Sequence, residues 1–105
     1  MKAKKDNPEG RLQLQIIHYL RACGHIVGKT KTMGVRRGRA YCFDPYTFRG
    51  FPDLTVFCPQ LIFIEVKAPN GRQSEAQRDF QGFCEKADIP YILAYQLEDI
   101  TRLIK

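Results

Sequence analysis

An acid and an amine stand two positions apart in the segment Glu65-Val66-Lys67. The residues leading up to them are rich in β-branched and aromatic types, which favours a strand. Because strand side chains alternate between faces, Glu65 and Lys67 emerge on one face, about 6.6 Å apart along the strand axis. The acid and the amine then face the same space. An exposed ion pair on one strand face is the structural alternative.

Two strand candidates, residues 53–58 and 61–67, flank a short turn and are predicted to form an antiparallel hairpin. The first of them begins with a second carboxylate, Asp53. If the hairpin closes through an odd loop such as Cys58-Pro59-Gln60, Asp53 lies opposite Glu65 with the Cβ atoms about 5 Å apart. A two-residue loop would put it opposite the following residue instead. The alternative is that Asp53 merely begins the strand.

A third acid, Glu9, lies in the first turn of a predicted amphipathic helix. At 100° per residue its direction falls within an apolar stripe that should face the core. The stripe consists of Leu12, Ile16, Leu20 and Cys23. A carboxylate pointed inward needs a partner. Alternatively, Glu9 only complements the helix dipole in the first turn, which contributes about 0.3 to 1 kcal/mol. We leave both interpretations open.

Convergence of Glu9, Asp53 and Glu65 would favour a bound divalent cation. Three carboxylates about 5 Å apart repel one another by roughly 3 kcal/mol per pair at an effective dielectric constant of about 20. A cation removes that penalty, and a set of hard oxygen ligands favours Mg²⁺ or Mn²⁺ over Zn²⁺. Beside it, Lys67 could orient and help to deprotonate a water. This combination is suited to phosphodiester hydrolysis.

Gln77 has two possible roles. The segment Ser74-Glu75-Ala76-Gln77 has the pattern of a capping box, in which Gln77 reaches back to the Ser74 backbone. Alternatively, Gln77 points at the site and supports Lys67 or the nucleophilic water by a hydrogen bond. We expect that one side chain cannot serve both roles fully.

The elements that must position these residues follow from periodicity and turn signals. A helix comes first, then three or four strands, a helix, a strand and a helix. This order predicts the α/β class, in the form of an α+β mixed sheet with helices packed on its faces. The first helix is predicted to have Asn7 as its N-cap and Pro8 at its first position, with an apolar period over residues 12–23. The other elements are predicted over residues 25–27, 40–43, 53–58 and 61–67 (strands), 74–87 (helix), 90–95 (strand) and 97–104 (helix).

The composition excludes several classes of protein. A chain of 105 residues fits one domain over residues 1–105. The four cysteines include no pair at zinc-ligand spacing, which argues against structural zinc. No apolar run is long enough to span a bilayer, and no secretory signal pattern is present. We therefore expect an intracellular protein with reduced thiols.

The charge is distributed unevenly along the chain. The net charge is +6, yet residues 1–52 carry 11 basic and 3 acidic side chains while residues 53–105 carry 6 and 8. This asymmetry predicts a polyanionic partner, without separating DNA, RNA and anionic membrane. The candidate phosphate contacts form a run with one later arginine: Lys29, Lys31, Arg36, Arg37, Arg39 and Arg49. The alternative is a solvated basic turn.

Aromatic residues alternate with the basic run in the same region. They could wedge open a DNA branch point or make a dimer contact, and core packing is the structural alternative. These residues are Tyr41, Tyr46, Phe43, Phe48 and Phe51.

Taken together, the motifs resemble the VRR-NUC (virus-type replication-repair nuclease) family of the PD-(D/E)XK nuclease superfamily. The resemblance spans nearly the whole chain, and four motifs in order are more specific than any one of them. They are Glu9-Gly10-Arg11-Leu12-Gln13, Gly50-Phe51-Pro52-Asp53-Leu54, Phe63-Ile64-Glu65-Val66-Lys67 and Gly71-Arg72-Gln73-Ser74-Glu75-Ala76-Gln77.

The resemblance implies a restriction-endonuclease-like core of order αβββαβα with helices on both faces of the sheet. It also implies that Asp53, Glu65 and the Val66 carbonyl bind the metal, and that Glu9 completes the shell directly or through water. Lys67 would assist the attacking water and Gln77 would support the site. In that family, stand-alone viral members look like Holliday-junction resolvases that act as homodimers, whereas the domain in Fanconi-associated nuclease processes flaps.

This chain is similar to the first group, which is compatible with a phage-encoded protein of DNA repair or recombination acting in the host cytoplasm. We therefore expect an Mg²⁺- or Mn²⁺-dependent endonuclease, with four-way DNA junctions as the favoured substrate. One alternative is a non-catalytic DNA-binding module on the same scaffold. Another keeps the chemistry and changes the substrate to flaps, nicked duplex or RNA.

Overall fold

The computed structural model describes residues 7–30, 46 and 48–105. The described part follows the predicted order αβββαβα, which is confirmed. Its elements are α1 (Pro8–Ala22), β1 (Ile26–Lys29), β2 (Leu54–Cys58), β3 (Gln60–Val66), α2 (Glu75–Lys86), β4 (Tyr91–Ala94) and α3 (Glu98–Thr101).

Local signals set the ends of α1. Asn7 caps the helix by accepting a hydrogen bond from Gly10 N at 3.0 Å, and Pro8 occupies the first turn, where no backbone donor is needed. The helix ends before Gly24, whose φ of +91° suits a residue without a side chain. The buried stripe is Leu12, Ile16, Ile17 and Leu20, whereas Cys23, predicted to belong to it, is exposed because it lies past the last turn.

The four strands form one mixed sheet in the order β1-β2-β3-β4. The first three are antiparallel and β4 runs parallel to β3. In the β2–β3 hairpin Cys58 pairs with Gln60, so Pro59 alone makes the turn. The odd register required by the sequence analysis is therefore confirmed.

Alternation along the strands gives the sheet two different faces. The even positions of β3, such as Ile64, pack with α1 and with Ile100 and Ile104 from the C-terminal region. The odd position Phe63 packs with Phe80 of α2 on the other face. Helices therefore cover both faces, as predicted.

Two apolar positions of the helices are more exposed than their spacing predicts. Phe83 of α2 is 55% exposed and Leu103 is 63% exposed. Both lie at the border of an amphipathic stripe whose centre, Phe80 in one case and Ile100 in the other, is buried.

Of the basic loop predicted over residues 29–39, Lys29 instead ends β1, whereas residues 31–39 and the predicted return strand over residues 40–43 lie outside the described residues. Within the described ranges, no helix has the length and apolar character that crossing a membrane would require.

Candidate active site

The hairpin brings two carboxylates together at its open end. The β2–β3 register pairs Leu54 with Ile64, and one further step places Asp53 opposite Glu65. Both are buried, with exposed fractions of 6% and 1%. Buried carboxylates are stable only when hydrogen-bonded, paired with a cation or bound to a metal, so this pair requires an explanation beyond packing.

Backbone hydrogen bonds fix Asp53. Its Oδ2 accepts from Val66 N at 2.8 Å, and its backbone carbonyl accepts from Thr30 N at 2.9 Å. The Asp53 side chain thus accepts the hydrogen bond from Val66 N that a backbone carbonyl would accept if β2 continued. Because the N–H and C=O of one strand residue point to the same side, the Val66 carbonyl also faces the Asp53 side of β3.

Glu65 contacts an amine and an amide through one oxygen. Lys67 Nζ lies 3.6 Å from Glu65 Oε2, and Gln77 Nε2 donates to the same oxygen at 3.1 Å. The lysine is nearly as buried as its partner, with a side chain that is 12% exposed. The structure therefore brings together four of the predicted site residues, Asp53, Glu65, Lys67 and Gln77.

The amide of Gln77 completes the helix cap and also reaches the site, where it contacts Glu65. Its Oε1 accepts from Ser74 N at 2.8 Å, and Ser74 Oγ accepts from Gln77 N at 3.1 Å, which completes the capping box. Its Nε2 remains for Glu65. The expectation of mutual exclusion was wrong, because a primary amide carries an acceptor on one atom and donors on another.

The segment before Asp53 is held against α2 by a close backbone approach. Gly50 has a φ of +68°, and a Cβ there would overlap the backbone of Ala76 and lie 2.5 Å from Gln77 N. Phe51 packs on Phe80 with ring centroids 4.8 Å apart. The strand that supplies Asp53 and the helix that supplies Gln77 are thus in direct contact.

Glu9 does not join the other carboxylates. It is half-buried in the first turn of α1, and in the described part of the chain no group of three or more His, Cys, Asp or Glu side chains is placed to hold a metal ion. The physical reason is that α1 packs on the face of Leu54 and Ile64, whereas Glu65 faces α2. The predicted convergence of all three acids is therefore not found.

The remaining donor set still fits a hard cation. Two carboxylates, Asp53 and Glu65, and the Val66 carbonyl supply oxygen ligands only. Proteins commonly bind Mg²⁺ through one or two carboxylates and leave its other positions to water and substrate phosphates. Asp53, Glu65 and Val66 are therefore the residues that could hold such an ion.

Tyr91 lies near the carboxylates and was not predicted as a site residue. Burial raises the pKa of Tyr91 to about 12, with smaller contributions in the same direction from the charges of Glu65 and Asp53. A hydrogen bond from Gln73 Nε2 to Tyr91 Oη, at 3.2 Å, acts in the opposite direction on this pKa. Only the parallel pairing of Tyr91 with Phe63 places it here, so no local sequence signal could have found it.

The predicted phosphate contacts are only partly described. Lys29 is exposed at the end of β1, and Arg49 is exposed beside Glu75 and Asp79 of α2. The other four, Lys31, Arg36, Arg37 and Arg39, lie outside the described residues.

The aromatic residues of that region divide in the same way. Phe51 packs in the cluster with Phe63 and Phe80. Phe48 is exposed, but its ring also contacts Phe80 edge to face, with the centroids 5.5 Å apart, whereas Tyr46 is exposed. Tyr41 and Phe43 lie outside the described residues.

Comparison with known proteins identifies the family. No curated protein sequence matches the chain. A solved structure of a VRR-NUC domain aligns with a TM-score of 0.70 at 23% identity, covering 93% of this chain and 95% of that one, which indicates a shared fold. Residues 45–96, which include Asp53, Glu65, Lys67 and Gln77, match the family model of the VRR-NUC domain. The chain therefore belongs to the VRR-NUC family of nuclease domains.

Proposed function

We propose that this protein is a metal-dependent DNA endonuclease that hydrolyses phosphodiester bonds, most readily at four-way junctions. The observation that carries the proposal is the buried pair Asp53 and Glu65 with Lys67 Nζ 3.6 Å from Glu65 Oε2. This arrangement occurs in a chain of a nuclease domain family. A structural ion pair alone would not account for the second buried carboxylate.

Mg²⁺, with Mn²⁺ as substitute, is the proposed cofactor. Asp53, Glu65 and the Val66 carbonyl would hold it, and Glu9 would support it through a water. When bound, such an ion supplies positive charge that stabilises a phosphorane-like transition state and lowers the pKa of a water. The described carboxylates need no third partner for this, because substrate phosphate oxygens complete the coordination of Mg²⁺ in many sites.

The chain's own residues position the reacting groups. Lys67 presents an ammonium beside Glu65, where it can hold a water or donate to a phosphate oxygen. Gln77 restricts the rotation of Glu65 by a hydrogen bond to Oε2, and Val66 N does the same for Asp53. Both carboxylates are thus fixed before substrate arrives, which lowers the cost of ordering them in the transition state.

The substrate and the assembly are the finer parts of the proposal. The excess of basic side chains in residues 1–52 supports a nucleic acid held by its phosphates, and no residue pattern indicates base readout. Recognition would therefore depend on DNA shape. A homodimer is proposed because two symmetrical cuts in a four-way junction are most readily made by a two-fold assembly.

A substrate panel tests the proposal directly. The protein is incubated with labelled four-way junction, flap, nicked duplex, linear duplex and RNA, with Mg²⁺, with Mn²⁺ and with EDTA. We expect metal-dependent cleavage, fastest on the junction, that is abolished by Glu65→Gln and Asp53→Asn while junction binding is retained. Asp79→Asn makes the same change at an exposed carboxylate of α2 and should leave cleavage intact. Light scattering of the protein with the junction measures the oligomeric state.

One observation favours a non-catalytic DNA-binding module as the second candidate. In the part of the chain that the structure describes, no third acid joins Asp53 and Glu65. Junction binding that is independent of metal, with no product from any substrate at any metal concentration, would support this candidate and refute the hydrolase.

A further inference from the structure

A continuous cleft opens beside Lys67 at the exit of the two parallel strands. Two adjoining depressions of about 450 and 480 Å³ share Pro69 and Tyr95 as lining residues. Volumes of roughly 300 to 1,000 Å³ are typical of sites for small ligands. We call this feature the β3–β4 cleft; the side chains that matter here are Arg11, Gln15, Lys67, Arg72, Tyr95 and Glu98.

The position of the cleft follows from the topology. Lys67 N donates to Ala94 O at 2.9 Å, so the chain leaves β3 and β4 side by side. Where parallel strands end together, the loops that follow them diverge and leave a crevice, which is where open sheets commonly bind ligands. Because Lys67 lines the cleft and its Nζ lies 3.6 Å from Glu65 Oε2, the cleft adjoins the candidate active site at this one residue.

The charges in the cleft suit the phosphates of a nucleic-acid backbone. Arg11 and Arg72 contribute two cations against the single carboxylate of Glu98, and Lys67 adds an ammonium group that also contacts Glu65. Arginine presents planar, forked donors that match phosphate oxygens, and both arginines are exposed.

Tyr95 provides an aromatic surface on a fixed backbone. Tyr95 is 38% exposed. Asp99 Oδ2 accepts from Tyr95 N at 2.8 Å and from Gln96 N at 3.2 Å, which holds the turn between β4 and α3. An exposed ring on an ordered turn can stack on a nucleobase at low entropic cost.

We infer that the β3–β4 cleft binds an unpaired nucleotide of the DNA strand next to the phosphate that is cut. Its base stacks on Tyr95, and its flanking phosphates contact Arg11 and Arg72. The inference rests on the proposed endonuclease function. It adds a reason for preferring branched DNA, because bases at a branch point can leave the helical stack more easily than bases within a duplex.

The chain contains no tryptophan, so one introduced tryptophan reports on the cleft alone. Tyr95→Trp is mixed with an oligonucleotide of ten thymidine nucleotides in EDTA. The change in its tryptophan fluorescence is compared with that of Phe57→Trp under the same conditions. Phe57 is 53% exposed near the hairpin turn, away from the cleft. We expect quenching by the oligonucleotide in Tyr95→Trp only, little quenching by a blunt duplex, and none by inorganic phosphate.

Binding measurements give a second, independent readout. By fluorescence anisotropy of the labelled oligonucleotide, Tyr95→Ala should weaken binding by about 5- to 150-fold, the range of one base–aromatic stack, while Tyr95→Phe should bind as the wild type does. Arg11→Ala and Arg72→Ala should each lower the logarithmic salt slope by about 0.7, as expected for one phosphate on a single strand. Arg78→Ala, on the exposed surface of α2, is the matched control.

The outcomes separate the two proposals. Oligonucleotide binding without quenching of Tyr95→Trp, or with equal affinity in Tyr95→Ala and the wild type, would overturn the cleft assignment even if the protein cleaves junctions. Equal quenching by blunt duplex would overturn the unpaired nucleotide. Quenching without cleavage of any substrate would support nucleotide binding in the cleft and refute the hydrolase. Thermal melting of each variant confirms that it is folded.

Discussion

Replacing Gln77 by glutamate separates its two roles. A glutamate still completes the capping box with an acceptor oxygen for Ser74 N. It also replaces the donor Nε2, which lies 3.1 Å from Glu65 Oε2, by a second oxygen. Gln77→Glu therefore preserves the cap and places two carboxylates in contact.

The cost of this contact depends on pH. At a separation of 3.1 Å, two unit charges repel by about 5 kcal/mol at an effective dielectric constant of about 20. The alternative is that one of the two carboxyl groups stays protonated. For a glutamate with the ordinary pKa of about 4.3, the free energy of protonation is about 5 kcal/mol at pH 8 and about 1 kcal/mol at pH 5. The protonated group can then donate to Glu65 as the amide did.

The introduced side chain can also turn away from Glu65. That movement loses the cap and the charged hydrogen bond, which together contribute about 2 to 5 kcal/mol. We therefore expect Gln77→Glu to lower the free energy of unfolding by about 2 to 5 kcal/mol at pH 8 and by about 1 kcal/mol at pH 5. The sign follows because the folded variant binds more protons than the unfolded chain, so its stability falls as pH rises.

Urea denaturation of the wild type and the variant from pH 5 to pH 8 measures this difference. Ser74→Ala is the control: it removes Oγ, the acceptor for Gln77 N, and should cost about 0.5 to 2 kcal/mol with no dependence on pH. A loss in Gln77→Glu that is the same at both pH values, or no larger than that of Ser74→Ala at pH 8, would refute the contact between Gln77 and Glu65.

Three further predictions concern the same region. Gly50→Ala should lower the free energy of unfolding by about 2 to 4 kcal/mol, because the positive φ is strained for alanine and the added Cβ would lie 2.5 Å from Gln77 N. Urea denaturation measures the loss, and a change under about 0.5 kcal/mol would contradict the close approach. Tyr91→Phe should flatten the pH dependence of stability between pH 10 and about 12. Because the pKa of Tyr91 is raised in the folded wild type, the folded protein keeps a proton in this range that the unfolded chain releases. Wild-type stability is therefore unaffected below pH 10 and falls above it. Denaturation of both proteins at pH 9, 10 and 11 checks this, and parallel curves would count against it. Mg²⁺ at 100 times its dissociation constant should stabilise the wild type by about 2.7 kcal/mol, whereas Asp53→Asn should show no such gain in a calorimetric melt; equal stabilisation of both would place the metal elsewhere.

The local signals of the sequence were sufficient for most of the framework. Asn7 and Pro8 predicted the start of α1, and Ser74 with Gln77 predicted the start of α2. Alternation in residues 53–58 and 61–67 predicted the hairpin and, through an odd loop, its register. These predictions held because caps, turns and strand alternation depend on residues close together in the chain.

The position of Glu9 could not be predicted from its helix alone. The helical period indicated correctly that the residues after it face the core, and Leu12 and Ile16 are buried. It did not indicate which face of the sheet α1 would cover. α1 packs on the face opposite to α2, and in the described part of the chain Glu9 forms no metal-binding group with Asp53 and Glu65.

The sequence by itself determined the element order, the pairing of β2 with β3 and the presence of Asp53, Glu65 and Lys67 at one end of the hairpin. Tertiary structure decided that Gln77 joins Glu65, that Glu9 does not, and that Tyr91 and the cleft beside Tyr95 adjoin the site. The physical reason is range. Strand alternation and capping act over a few residues, whereas the parallel pairing of β3 with β4 and the choice of sheet face for each helix depend on packing between segments distant in the chain.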